Sequence, residues 1–235
     1  MVKRPVLIYA MPRSYSTVML FSCKREIKIN EPFDIRRRNR EVVKTNKNVK
    51  LENILDVPFD VLYKEDWSQL TNKLSNPDSV VKILAMSLML YYPVRNWYNN
   101  VANSNNFDIF VPNRSMYDIA WSTVLATEFG FRKEWESEPM EIDIPMITMK
   151  ELALNFDAFL RFFPKNAVAI DLDNLPQSHF YDTSEREVRI QNSLEKKSLI
   201  KNFSECDQEI RFLVDLFADE WKSKFQSIGA SAKIW

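Results

Sequence analysis

Glycine is nearly missing from this chain: Gly130 and Gly229 are the only two in 235 residues, against a usual share of roughly 7%. Any loop that ordinarily depends on glycine must therefore be made from residues that carry a Cβ. Cysteine is equally scarce. Cys23 and Cys206 stand far apart and no C-x-x-C pair occurs, which argues against a disulfide framework and against a cysteine zinc site, and no metal is expected. Net charge is absent as well, with 32 basic and 32 acidic side chains. No global field draws the chain to nucleic acid or to a membrane, so any such contact has to be a local patch. Long apolar runs are missing too: Pro5 to Met11 is too short for a signal-peptide core, and no stretch approaches a membrane span. The expectation is a reducing, cytoplasmic setting, with no membrane span and without nucleic acid as the partner.

What is present suits one folded domain spanning residues 1–235. Hydrophobic residues make up 46% and charged residues 27%, ordinary values for a chain with one well-buried core. Short apolar runs read as buried strands at Val6–Ala10, Ser79–Met86, Phe107–Val111 and Ala167–Leu172. Between and after them, helical patterns fall at Ser16 onward, Glu65–Leu74, Tyr92–Ala102, Met116–Phe129, Met149–Phe163, Glu185–Ile200 and Glu205–Phe225. Apolar strands alternating with helices predict an α/β, three-layer, P-loop-like fold: a central parallel sheet of about four to five strands with helices on both faces.

Two segments carry chemistry. The first is Ala10-Met11-Pro12-Arg13-Ser14-Tyr15-Ser16-Thr17, a turn between the first strand and the first helix. A nucleotide-hydrolysing loop reads G-x-x-x-x-G-K-S/T, with lysine next to its end. Here Ser16 holds the lysine position, Tyr15 the second glycine position, and the cation comes earlier, at Arg13. Backbone N–H groups at a helix start, hydroxyls and one cation suit phosphate oxygens. The same residues also fit an ordinary strand-to-helix turn with a surface arginine. The second segment runs from Arg114 to Ser122. Ser115 and Asp118 have capping-box spacing, so a helix should begin there and set Arg114 beside its N-terminus, where an anion is favoured.

Together these segments resemble the sulfotransferases that use 3′-phosphoadenosine 5′-phosphosulfate (PAPS). Pro12-Arg13-Ser14-x-Ser16-Thr17 is similar to that family's 5′-phosphosulfate loop, and Arg114-x-x-x-Asp118-Ile119-Ala120-x-Ser122 to its 3′-phosphate motif. Asn30-Glu31-Pro32-Phe33 resembles the G-E-P segment of trehalose-type bacterial members. Lys82 falls where animal members carry a lysine in a K-T-H strand, with Leu84 in the histidine position. The likeness covers roughly residues 5 to 130, with an echo at Asp171–Leu175. It implies PAPS as donor and a hydroxyl or amine acceptor on a glycan, lipid or small molecule. Arg13, Ser14, Tyr15, Ser16 and Thr17 would hold the 5′-phosphate end, and Arg114 and Ser122 the 3′-phosphate. Glu31 would be the general base, with Lys82 and Arg13 stabilising charge on the sulfuryl and bridging oxygens.

Competing uses remain open at this point. A descendant that binds adenosine 3′,5′-bisphosphate, or nothing, could serve as an interaction protein. A kinase is disfavoured by the missing lysine. The basic run from Arg36 to Lys50 fits a solvated helix face or loop better than a guide for an anionic acceptor. The aromatics Tyr91, Tyr92, Trp97 and Tyr98 fit core packing better than an acceptor pocket. The single histidine, His179, reads as structural or surface.

Overall fold

The structure is a computed structural model that describes residues 3–31, 74–90, 92–103, 105–129, 141–142, 144, 146–181 and 197–235. In chain order these form β1 (Val6–Ala10), α1 (Ser16–Ser22), β2 (Ile27–Asn30), β3 (Ser79–Leu84), α2 (Ala85–Leu90), α3 (Tyr92–Asn103), β4 (Asp108–Pro112), α4 (Met116–Phe129), α5 (Met146–Arg161), β5 (Ala167–Ile170) and α6 (Phe203–Ser227). A 3-10 turn at Leu172–Asn174 follows β5. The fold is α/β: one five-stranded sheet in the order β2-β3-β1-β4-β5, every pair parallel, with helices on its faces. The basic run at 36–50, Tyr91, residues 65–73 of the expected helix 65–74 and residues 185–196 of the expected helix 185–200 lie outside the described residues.

β1 is central, flanked by β3 and β4, and all five of its residues are buried. A strand covered on both faces has no polar side, which is why Val6–Ala10 is apolar throughout. Its alternate residues enter two different cores. Leu7 and Tyr9 join Val81, Ile83, Ile109 and Val111 beneath α2, α3, α4, α5 and α6. Val6, Ile8 and Ala10 join Val80, Leu84 and Phe110 beneath α1, with Met19, Leu20 and Phe180 closing that side. The segment carrying Phe180 is stitched to the end of α1: Tyr181 N–H donates to Ser22 O at 2.8 Å and Lys24 N–H to His179 O at 2.7 Å.

The first core is rich in aromatic rings. Tyr9 stacks between Tyr98 and Phe159, with ring centroids 5.5 and 5.2 Å away. Its buried hydroxyl donates to Phe159 O at 2.8 Å, and Tyr98 OH donates to Phe162 O at 2.8 Å. Phe159 O lies in the last turn of α5, where the helix leaves such groups without amide partners, and Phe162 O directly follows it. Trp97 packs edge-on to Phe107 at 6.2 Å. Trp97 and Tyr98 are thus core residues, as their spacing suggested.

One strand end and one whole strand depart furthest from the sequence reading. The second apolar run, Ser79–Met86, was expected to stay extended to Met86, but β3 stops at Leu84 and α2 starts at Ala85. β2 was not expected at all. Among the described residues it is an edge strand, paired with β3, and of its four residues only Ile29 is fully buried, so its apolar signal is weak.

Candidate functional site

Parallel sheets collect loops at the carboxyl ends of their strands, and a crevice opens where successive connections leave in opposite directions. Here β1 lies between the pair β2-β3 and the pair β4-β5, so the loop after β1 sits at that divide. Every residue given a catalytic or phosphate-binding role from the sequence, except Ser122 on α4, falls on or next to this edge.

The loop after β1 is built without glycine, and its backbone shows the consequence. Arg13 and Tyr15 both adopt φ near +64°, in the left-handed region. Tyr15 is the residue before α1, with φ 64° and ψ 12°. Left-handed backbone costs a residue with a Cβ on the order of 1–2 kcal/mol, and such strain is held only where surroundings over-determine it. Ser14 helps: its buried hydroxyl donates to Met11 O at 2.7 Å, closing the turn. That hydroxyl is therefore committed to the loop's own backbone. Ser16 is buried, Thr17 half-buried, and the Arg13 side chain exposed.

On the β2-β3 side stands a buried ion pair. Lys82 occupies the α1 face of β3, between the apolar positions Val80 and Leu84. It is 1% exposed. Its ammonium donates to Thr17 Oγ1 at 2.8 Å and lies 2.5 Å from Glu31 Oε1. Glu31, 7% exposed, continues the β2-β3 ladder through its N–H to Lys82 O at 3.0 Å, and turns the chain there with φ 50°. Thus Thr17, Glu31 and Lys82, distant in sequence, meet at one point. A buried charge is tolerated only with a partner, and the carboxylate is that partner. Pro32 and Phe33, the rest of the motif around Glu31, lie outside the described residues.

On the β4-β5 side a cavity opens between the loops that follow β1, β4 and β5, lined by Tyr15, Arg114, Leu172, Asp173, Lys233 and Trp235 among others. The Arg114 guanidinium lies over the Tyr15 ring, 4.0 Å from its centroid, and donates to the Arg13 carbonyl. Arg114 is thereby anchored to the first motif on two sides. Ser122 is half-buried two turns along α4 and is not part of the cavity lining. His179 sits at the opposite, amino edge of β4, with Nε2 3.3 Å from Asp108 Oδ2, and plays no part in this site.

The start of α4 is where the expectation needs correcting. Ser115 does cap the helix, its Oγ accepting from Asp118 N–H at 3.1 Å. The next free amides, however, are already used: Met116 N–H donates to Lys233 O at 3.2 Å and Tyr117 N–H to Ile234 O at 3.0 Å. Residues 230–235 thus lie across the helix start, and attraction for an anion there must come from side chains. Gly229 directs this course. It follows α6 with φ 74°, its N–H bonds to Gln226 O, and Ala230 N–H bonds to Phe225 O, a Schellman turn that requires the left-handed conformation glycine allows.

Comparison with known protein families, with curated proteins and with solved structures returns no match.

The returning segment brings two residues that the sequence reading missed. Lys233 lines the cavity and pairs with Asp171 at 2.9 Å; Trp235 lines it and approaches Tyr117 at 6.1 Å. A third cation, Lys197, lies over Tyr117 and Trp121 at 4.8 and 5.1 Å. Burial pushes its pKa below the ordinary lysine value, while Asp118 and Asp207 counter the shift and Arg114 adds to it. Asp207 organises this rim: it accepts from Tyr117 OH, from Trp121 Nε1 at 3.1 Å and from Arg211 Nε at 2.7 Å. The only signal for these residues in the sequence was their charge or ring, since the turn that delivers Lys233 and Trp235 is read from tertiary bonds.

Proposed function

We propose that this protein is a sulfotransferase that moves a sulfuryl group from PAPS to a hydroxyl or amine acceptor. The observation that carries the reading is the meeting of two distant motifs at one sheet edge. Residues 10–17 and Arg114 share a hydrogen bond and a ring stack, while Thr17 also touches the buried Lys82–Glu31 pair. A donor with phosphate at both ends needs cationic groups on both sides of the loop after β1, and both sides carry them. Lys82 stands on one; Arg114 and Lys233 stand on the other.

In this reading the 5′-phosphosulfate lies along residues 13–17, held by loop amides, by Thr17 and Ser16 hydroxyls and by Arg13. Arg114 and Lys233 hold the 3′-phosphate in the cavity. The acceptor oxygen or nitrogen attacks sulfur in line. A new bond to sulfur forms, the bond from sulfur to the bridging oxygen breaks, and the electron pair leaves with the 5′-phosphate of adenosine 3′,5′-bisphosphate. Glu31 takes the acceptor's proton. Lys82, 2.5 Å from Glu31, is drawn toward the bridging oxygen as negative charge grows there. This releases the carboxylate as base and stabilises the leaving group. The charge count fits: the ammonium that neutralises Glu31 at rest neutralises the leaving oxygen during transfer.

A second reading is favoured by Tyr15, which stands where the resembled family has glycine: a protein that binds adenosine 3′,5′-bisphosphate without turnover. Both readings share one test. Isothermal titration of adenosine 3′,5′-bisphosphate, beside AMP and ATP, into wild type and Arg114→Ala should give tight binding of the bisphosphate to wild type alone. Losing one charge-assisted contact of about 1.5–3 kcal/mol should weaken it by roughly 10- to 100-fold. Equal binding of ATP, or none of any nucleotide, would sink both. Bisphosphate binding with no sulfated product across hydroxyl and amine acceptors would favour the second.

A further inference from the structure

Tyr15 is an unusual residue for its position. It holds the left-handed backbone at φ 64° and ψ 12°, a conformation that glycine adopts at no steric cost. Yet its ring is in contact with something specific. The Arg114 guanidinium lies 4.0 Å from the ring centroid, while the same side chain donates to the carbonyl of Arg13, two residues back. The ring and the carbonyl together fix a long, flexible cation in one place. Tyr15 also lines the cavity that Arg114 faces. Glycine there would relax the backbone and remove this support.

We infer that Tyr15 is a positioning residue for Arg114: its ring holds the guanidinium over the cavity, so that the site favours ligands with a second phosphate. This deepens the donor reading and rests on it for the identity of the ligand. Guanidinium over an aromatic face is held electrostatically and by stacking. The left-handed turn at Tyr15 starts α1 and sets where the ring stands. Ring and loop therefore act as a strut between the motif after β1 and the motif after β4. A ligand bound by both motifs then meets Arg114 already oriented, without the loss of side-chain freedom that orienting it on binding would require.

The test uses Tyr15→Phe, Tyr15→Leu, Tyr15→Gly and each of them combined with Arg114→Ala. Affinities for adenosine 3′,5′-bisphosphate and for AMP are measured by titration calorimetry, and thermal midpoints are recorded for every variant. Tyr15→Phe, which keeps the ring, should bind the bisphosphate within about 2-fold of wild type. Tyr15→Leu and Tyr15→Gly should each lose on the order of 10-fold in the preference for the bisphosphate over AMP, whatever the loop itself gives up for both ligands. In the Arg114→Ala background the same substitutions should cost that preference nothing further, because the group they position is gone. Tyr15→Gly guards against a folding artefact, since it should melt no lower than Tyr15→Leu and still bind the bisphosphate weakly. Equal losses for bisphosphate and AMP, or losses of preference that add fully to those of Arg114→Ala, would overturn the strut while leaving the donor reading intact. Failure of wild type to prefer the bisphosphate would overturn the donor reading and the ligand named here. The thermal midpoints would then decide the strut by themselves: additive shifts for Tyr15→Leu and Arg114→Ala overturn it, and shifts that do not add uphold it.

Discussion

Replacing Lys82 with methionine isolates the buried charge at the site from the rest of the fold. Methionine keeps the chain length and the apolar stem within β3 but removes the ammonium that lies 2.5 Å from Glu31 Oε1 and donates to Thr17 Oγ1 at 2.8 Å. The side chains of Lys82 and Glu31 are 1% and 3% exposed, so water does not replace the lost partner. Removing one member of a buried pair costs about 3–5 kcal/mol, whereas replacing both by uncharged groups is often close to neutral. A domain is stable by about 5–15 kcal/mol in total, so Lys82→Met should give up a large share of that margin. Lys82→Met combined with Glu31→Gln should regain most of it. Urea unfolding followed by tryptophan fluorescence reads the difference directly, since the chain has six tryptophans and four of them, Trp97, Trp121, Trp221 and Trp235, lie among the described residues. A cost below about 1 kcal/mol for Lys82→Met would mean a hydrated carboxylate and would refute the buried-pair argument. So would a double variant whose loss equals the sum of the two single losses.

Two further outcomes follow from the site. Glu31→Gln should keep its affinity for adenosine 3′,5′-bisphosphate and lose turnover by roughly 10²- to 10⁴-fold; unchanged single-turnover rates would remove Glu31 from the role of base. Asp207 gives the acid limb. Burial pushes its pKa up, but the hydrogen bonds from Tyr117, Arg211 and Trp121 outweigh burial and hold it below the ordinary carboxyl value of 3.8. A depressed folded-state pKa contributes stability above the unfolded value and loses it as pH falls through the folded one. The stability of wild type relative to Asp207→Asn should therefore shrink on acidifying from about pH 4 downward, as measured by urea midpoints at a series of pH values. A constant difference across that window would dismiss the network as a stabilising contribution.

The strands that could be read from the sequence are the apolar runs. β1, β3 and β4 are apolar because parallel strands under helices have no wet side, whereas β5 was read from its composition alone, since at the sheet edge it leaves Val168 exposed. β2 escaped because Lys28 and Asn30 alternate with its two isoleucines at the sheet edge, and alternation over four residues is a faint signal. Lys82 stood out as a charge inside an apolar run, and its partner Glu31 was found through the motif that carries it. The strain in the loop was legible at Tyr15, which stands at a glycine position, but not at Arg13, where nothing announces a positive φ. Neither was the wall formed by Lys233 and Trp235, nor the use of the first α4 amides by the chain's own carbonyls. Those depend on where a Schellman turn points the chain, which only the packed structure fixes.

The central place of β1 also governs how the chain is made. Val6 pairs with Val80 on one side and Asp108 on the other, so β1, made before both of its neighbours, is completed only when two much later strands arrive. At roughly 5–20 residues per second, its apolar run waits on the order of 5 to 20 s for β4. Contacts this distant in sequence also slow folding after release. During that interval Val6–Ala10 offers bare strand edges to any other nascent chain. The strand that carries the loop of the site is thus exposed to mispairing while the protein is being made.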